Sequence, residues 1–494
     1  MKGMPLIKEL LIIDKSSDIP VYLQLTNAII QNIHHGKFRK GLKLPGTREI
    51  ADMLKINRLT AVAAYQELDA QGWIETLSRK GTFVKVNPPL LSPKQISNNS
   101  AKFKLPERAA FRHDAKQIVL SPSADLLSTG KIVLRDGGFP DVRLAPIEDL
   151  GRKIRSLSRL SANKKYLMYG DPQGSFFLRE TLAEFLCDTR GLSITADNIL
   201  ITKGAQMGLY ITSSILIKQR EQIIVGTPGY GGANLTFEQV GGQINYVAVN
   251  DDGIDVDVVE KICKKKRIRM IYVIPHHHHP TSVTLTPEKR IRLLELALKF
   301  KFAIIEDDYD YDFHYAGRPM MPMASLDRNG NVIYIGTLTK SLAPAIRLGF
   351  IVAPAAFIRT ATHARKYIDS HGDSLIENAV AEMYKDGTIA RHLKKSVKLY
   401  KERRDYFCGL LNSELGKFIS FRIPEGGLSV WTAFLNNNLP DISKSAFKKG
   451  LIIADGTDYN TRKIKYNSVG LNFASVNAKE QEKAITILKG ILKS

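Results

Sequence analysis

Apolar positions in the first ninety residues recur at helical spacing and then change to alternation. In VYLQLTNAIIQNIHHG, Leu23, Ile29, Ile30 and Ile33 share one side of a helix that stops at Gly36. Thr47 is placed to cap a short second helix, REIADMLKI, and Asn57 a third, RLTAVAAYQELDAQG, ended by Gly72. WIETLSRKGTFVKV then reads as a hairpin with Arg79-Lys80-Gly81 at its tip. Between residues 87 and 117 the periodicity lapses, and Pro88, Pro89, Pro93, Pro106 and an Asn-Asn-Ser run mark a tether. Beyond it, short apolar runs alternate with helical patterns, which predicts an α/β body with a largely parallel sheet. NILITKG, QIIVGTP, MIYVIP, FAIIED and NVIYIGT are its strand candidates. The pattern divides the chain at 15–87, 88–117 and 118–494.

Composition narrows the class. The 494 residues are 44% hydrophobic and 24% charged, an ordinary globular balance that excludes a mostly disordered chain. No apolar run approaches the roughly 18 residues a membrane span needs. MKGMPLIKELLIIDKSSDIP carries Glu9 and Asp14 and lacks a small-residue cleavage site, so no signal peptide is expected. Cys187, Cys263 and Cys408 are odd in number and far apart, which excludes a disulfide framework and a four-cysteine zinc site; a reducing cytoplasm is expected. The net charge of +22 favours polyanionic partners, nucleic acid first, and +8 of it falls in the first 115 residues.

Three helices followed by a hairpin is the order of a winged helix-turn-helix, in which the third helix enters the major groove and the hairpin touches the backbone or minor groove. Arg48 and Arg58 open helices two and three, where the helix N-terminus also favours phosphate. Thr60 and the small Ala61, Ala63 and Ala64 let the third helix lie close in a groove, and Lys80 sits at the hairpin tip. The plain alternative is a helical subdomain whose arginines are merely solvated. LPGTREIADMLKINRLTAVAAYQELDAQGWIETLSRKGTFV, however, resembles the GntR-family DNA-binding domain, a likeness running through about 65 residues. It implies binding to double-stranded operator DNA. Leu59 stands where that family often has Asn.

In open α/β sheets, chemistry gathers at the carboxyl ends of strands. After NILIT, KGAQMGLY offers a glycine and a helix start, whose N–H groups suit phosphate. After QIIVG, TPGYGG puts Tyr230 on a turn. In EDDYDYDF, Asp307 and Tyr309 share one face of an extended chain, and LTKSLAPAIRLGF places Lys340 and Arg347 beyond a strand end. Each has an ordinary structural reading alone. Together they suit pyridoxal phosphate, which needs an amine for a Schiff base, an acid at its ring nitrogen, a donor to its phenolate and donors to its phosphate.

Their order, with YGDPQGSFFLRETLAEFL, TKGAQ, TPGY, IIEDDYDYDFHYAGRP, IYIGTLTKSLAPAIRLGFIVAP and HLKKSVKLYKERRD, resembles the MocR subfamily of GntR regulators over nearly the whole chain. The resemblance implies a multidomain protein: an N-terminal winged helix-turn-helix and an α/β fold type I, pyridoxal-phosphate-dependent aminotransferase-like domain. It implies Lys340 as the Schiff-base lysine, Asp307 as the ring-nitrogen partner and Tyr309 as donor to the phenolate. Arg347, Ala205, Gln206 and the nearby Thr337 fall at the phosphate, and Tyr230 stacks on the ring. Tyr169 matches a residue that reaches the neighbour's phosphate in a homodimer.

Two departures stand out. PHHHHPTS replaces the usual PSHQYPTG, so Ser282 takes the place of a turn glycine and His276 to His279 run consecutively. Alternate side chains of an extended segment point to opposite faces, so at most two of these histidines share a metal; polar pocket lining is the favoured reading and no metal is expected. Aminotransferases of this fold usually carry an Arg, gripping the substrate carboxylate, where VGLNFASV places Gly470; Arg462, Lys463 and Lys465 reach that place only in a shifted register. Without a bidentate clamp, transamination loses affinity and geometry. The expected effector is therefore pyridoxal phosphate itself, similar to the branch that controls vitamin B6 synthesis, and no residue is assigned to catalysis. The rivals are a regulator sensing an amino compound and a working aminotransferase with an appended DNA-binding module.

Overall fold

The computed structural model describes residues 4–17, 19–85, 130–135, 139–159, 161–317, 319–461 and 464–493. The tether at 88–117, and Arg462 and Lys463, lie outside these. The chain divides into two compact units, Met1–Ala115 and Lys116–Ser494.

In the first unit, helices Val21–His34, Thr47–Leu54 and Arg58–Ala70 precede strands Ile74–Leu77 and Gly81–Val84. A two-residue strand, Lys43–Leu44, completes a three-stranded antiparallel sheet on the outer edge of the hairpin. Leu25, Ile29, Ala61, Ala64, Leu68, Ile74 and Val84 are fully buried between the helices and the hairpin. Leu11, after a short helix at Met4–Leu10, joins the same core from upstream of residue 15. Asn57 caps the third helix as expected, accepting from Leu59 N–H at 2.8 Å. Thr47 does not cap the second. Gly46 holds that position and its N–H donates to Glu49 Oε2, because the chain turns helical one residue earlier than the threonine reading assumed.

The second unit is built on an eight-stranded sheet. Its order is Ile199–Thr202, Gly349–Val352, Val332–Thr337, Ala303–Asp308, Ile268–Val273, Gln222–Thr227, Gln243–Asn250 and Gly253–Ile254. All five strands expected from apolar runs are present. The central ones pair in parallel and are covered on both faces, which is why they read as unbroken apolar runs. Gly349–Val352 enters antiparallel between the first and third strands of that order. A smaller antiparallel sheet, Ile419–Phe421, Ser429–Phe434 and Ser468–Asn472, packs with helices Thr388–Leu415 and Ala478–Leu492.

Candidate functional site

On the first unit, Arg48 and Arg58 are exposed at the starts of their helices, Thr60 is half-buried and Lys80 is exposed beside Arg79 at the hairpin turn. Arg79 takes a left-handed φ of 61° there. Two of the three small residues do a different job from the expected one, while Ala63 is only half-buried. Ala61 and Ala64 are wholly buried and face the helix Val21–His34 side of the core, because their spacing matches the apolar stripe rather than the outer face. The outer face instead shows Leu59, 76% exposed, between Arg58 and Thr60.

On the second unit, register brings the cofactor candidates to neighbouring strand ends. Thr202 pairs with Gly349, Gly349 with Thr337, and Asp308 with Gly336. Gly204 follows the first of these strands with φ 79° and ψ 172°, and starts helix Ala205–Leu216 with no side-chain hydrogen bond capping it. A Cβ at Gly204 would lie 2.6 Å from Arg347 Nη2, and one at Gly349 would lie 2.6 Å from the Gly204 carbonyl carbon. Two glycines thus let the backbone close up and let Arg347 lie against the helix start, where it donates to the Lys203 carbonyl at 3.3 Å. The Gln206 side chain is turned aside, donating to Thr236 Oγ1 and accepting from the Tyr230 hydroxyl. The helix N-terminus with Arg347 can therefore hold a phosphate.

Asp307 is the centre of the site. It is buried; Tyr272 donates to its Oδ2 at 2.6 Å, while its buried Oδ1 has no hydrogen-bond partner among the described groups. Burial pushes its acid up to about 7, against the hydrogen bond from Tyr272 and the charge of Lys340, and with the repulsion of Asp308 and Asp310. A buried carboxylate with one oxygen pinned and one open suits the protonated nitrogen of a pyridine ring. Tyr230 is half-buried; burial makes its phenol a weaker acid, the nearby Asp307 charge adds to that, and Arg347 opposes it. Tyr309 and Thr337 line the same cleft as Lys340, whose Nζ lies 5.5 Å from the centre of the Phe139 ring. The Tyr309 hydroxyl donates to the His277 carbonyl at 3.1 Å, and Thr337 Oγ1 to Thr339 Oγ1 at 2.8 Å. The residues present fit pyridoxal phosphate.

Tyr169 stands apart from this group, 88% exposed, with its ring edge-on to His371. Leu167, Met168 and Phe176 beside it are also exposed.

The carboxylates flanking Asp307 point the other way. Glu306 accepts from the N–H groups of Met323 and Ala324, both at 2.8 Å, and burial raises it to about 7. Asp308, raised by burial to about 6, accepts from Tyr334 and faces Arg190. Sequence reading missed Tyr272, the residue that orients Asp307. Its only signal was a hydroxyl-bearing ring inside the apolar run MIYVIP.

The four histidines separate. His276 bonds the Met320 carbonyl at 2.6 Å, His277 bonds Asp310 at 2.9 Å and His314 at 3.2 Å, and His278 bonds the Pro228 carbonyl at 2.8 Å. Burial holds His278 down at about 4. His279 packs against Tyr230, Tyr309 and Tyr459. Among the described residues no group of three or more His, Cys, Asp or Glu could hold a metal ion. Ser282 adopts φ 57°, the left-handed turn usually left to glycine.

Known proteins agree with this division. Residues 129–488 match the family model for aminotransferase class I and II, and residues 21–84 match that for bacterial regulatory proteins of the gntR family. An uncharacterized HTH-type transcriptional regulator of Bacillus subtilis, YisV, is 28% identical over 475 residues, covering 92% of this chain and 94% of its own. The probable rhizopine catabolism regulatory protein MocR of Rhizobium meliloti is 27% identical, covering 86% of this chain and 84% of its own. The kynurenine aminotransferase of Pyrococcus horikoshii superposes with a TM-score of 0.69 at 28% identity, over 74% of this chain and 92% of that one. An archaeal alanine:glyoxylate aminotransferase gives 0.70 at 29%, over 75% and 93%. The chain therefore belongs to the aminotransferase class I and II family, and joins that fold to an N-terminal GntR-type helix-turn-helix as a DNA-binding transcription regulator.

Proposed function

We propose that the second unit binds pyridoxal phosphate and that occupancy by this cofactor is the signal the regulator transmits to operator DNA. The observation that carries the reading is Asp307: a buried carboxylate, pinned by Tyr272 and open at Oδ1, on the strand paired with the one that leads to Lys340, whose charge acts on it. The cofactor, when bound, supplies an aldehyde that condenses with a lysine amine. Lys340 is the amine placed for it. Asp307 holds a proton at the ring nitrogen, Tyr230 covers the ring, Tyr309 turns its hydroxyl from the His277 carbonyl to the phenolate, and the start of helix Ala205–Leu216 with Arg347 and Thr337 takes the phosphate. Exposed Tyr169 and its apolar neighbours favour a homodimer in which that phenol reaches the partner's phosphate.

Arg48, Arg58, Thr60 and Lys80 form the DNA face, and the protein works where its operator is, in the cytoplasm. Gly470, in the place of a carboxylate-gripping arginine, favours cofactor sensing over amino-acid turnover. The test is a titration of pyridoxal phosphate with and without operator DNA, using Lys340→Ala so that binding stays reversible. Linkage requires that any change of operator affinity on cofactor binding reappear as the same factor in cofactor affinity. Equal cofactor affinities in the two titrations would reject cofactor sensing.

A further inference from the structure

Gly470 lies on strand Ser468–Asn472, directly opposite Trp431 on Ser429–Phe434. Directly paired residues present their side chains on the same face. The glycine contributes none, so no cross-strand side chain stands directly opposite the indole. The Trp431 ring meets Tyr459 at 5.1 Å and 88°, and Tyr459 meets His279 at 6.1 Å. His279 in turn stands at 88° to Tyr230, 5.7 Å away, and at 83° to Tyr309, 6.3 Å away. Trp431, His279, Tyr230 and Tyr309 are half-buried, whereas Tyr459 is buried, with 8% of its surface exposed. His279 thus supplies the link in an aromatic wall. The wall starts at the two tyrosines assigned to the cofactor ring and ends where enzymes of this fold grip a carboxylate. Arg135, which bridges to Leu471 next to Gly470, is paired with Asp458 at 3.7 Å.

Aromatic rings set at right angles accept a further ring edge-to-face. We infer that Trp431, Tyr459 and His279 form a recognition wall for a second ligand, an arylalkylamine without an α-carboxylate, whose amine end faces the cofactor. The inference rests on the cofactor-binding reading for the direction of the amine, but not for the wall. The indole, backed edge-to-face by the buried Tyr459, receives the aryl group. His279 bridges it to the cofactor edge.

The experiment uses the full-length protein loaded with pyridoxal phosphate and titrated with phenethylamine, L-phenylalanine and butylamine. It reads cofactor absorbance and tryptophan fluorescence together. The chain has two tryptophans, Trp73 and Trp431, and Trp431→Phe assigns the quench. Phenethylamine is expected to act at concentrations about tenfold below those of either comparator, since ring contacts of this kind are worth about that factor. Tyr459→Ala and, independently, His279→Ala are expected to erase the difference between phenethylamine and butylamine while the cofactor band persists. Phenylalanine binding as well as phenethylamine would overturn the inference in favour of a carboxylate grip, with Arg135 placed to supply it. Butylamine matching phenethylamine, or no fluorescence response to any amine, would also overturn it. A chain that shows no cofactor band but still gives the phenethylamine quench loses the cofactor reading and keeps the wall.

Discussion

The two units hold their charge in opposite ways. Arg48, Arg58 and Lys80 stand exposed on the first unit, and water sets their behaviour. Glu306, Asp307 and Asp308 are buried at one strand end of the second, where burial drives all three acids upward. Exposed cations recognise a polyanion by long-range attraction and counterion release, which tolerates imprecise placement. A buried carboxylate recognises one atom of one ligand, and only if its neighbours hold it to the right angle. In the site proposed for the cofactor, one end joins a helix start and two glycines to Arg347, and the other is lined by rings.

The largest effect expected is at Lys340. Borohydride should fix reduced cofactor on this lysine in the wild type, and Lys340→Ala should take up no covalent cofactor while leaving DNA binding in place. An adduct mapped to another lysine would break the assignment of this strand end.

On the exposed side, the Arg48→Ala/Arg58→Ala double variant should bind operator at least about tenfold more weakly and leave the cofactor spectrum unchanged. For each phosphate that the variant no longer neutralises, the slope of log affinity against log salt should shrink by about 0.9. Unaltered affinity with an unaltered slope would remove these arginines from the interface.

Gly204→Ala sharpens the view of the phosphate end. Its φ of 79° with ψ of 172° belongs to a region essentially reserved for glycine, and a Cβ would press on Arg347. A loss of about 1–3 kcal/mol is expected from backbone strain, together with weaker cofactor retention. Wild-type stability and retention in this variant would show that the cradle is not where Arg347 meets the helix.

A separate test is the pH dependence of the cofactor-free protein. In the unfolded chain the three acids titrate near 4, whereas in the fold they keep their protons to about 7, 7 and 6 for Glu306, Asp307 and Asp308. Across that interval the unfolded chain sheds protons that the folded chain retains. Stability should therefore be greatest below about pH 4 in this contribution, fall as pH rises to about 7, and level off above it. Melting temperatures measured across this window should fall less steeply in Asp307→Asn. Parallel profiles for variant and wild type would show that Asp307 is not a buried acid in the cofactor-free protein.

Much of this was legible because periodicity survives tertiary packing. The runs around Ile223, Ile271, Ile304 and Ile333 read as strands since both faces of a parallel sheet are covered, and Asn57 announced its helix. Neighbour relations were less legible. Nothing in LGFIVAP tells that Gly349–Val352 inserts antiparallel between two other strands, and nothing local told that Ala61 and Ala64, read as groove residues, belong to the core.

The sequence alone determined the division into a DNA-reading unit and an α/β body, the order of strands along the chain, and the identity of Lys340, Asp307, Tyr230 and Arg347 as site candidates. Local propensity and hydrophobic period act over a few residues, and the matching motifs are short. Tertiary structure alone decided that Tyr272 pins Asp307, that Gly204 and Gly349 close on each other beneath Arg347, that four adjacent histidines take separate partners, and that Trp431 faces Gly470 from 39 positions away. Each of these is a contact between residues distant in sequence, set by strand order and register, and no local pattern encodes either one.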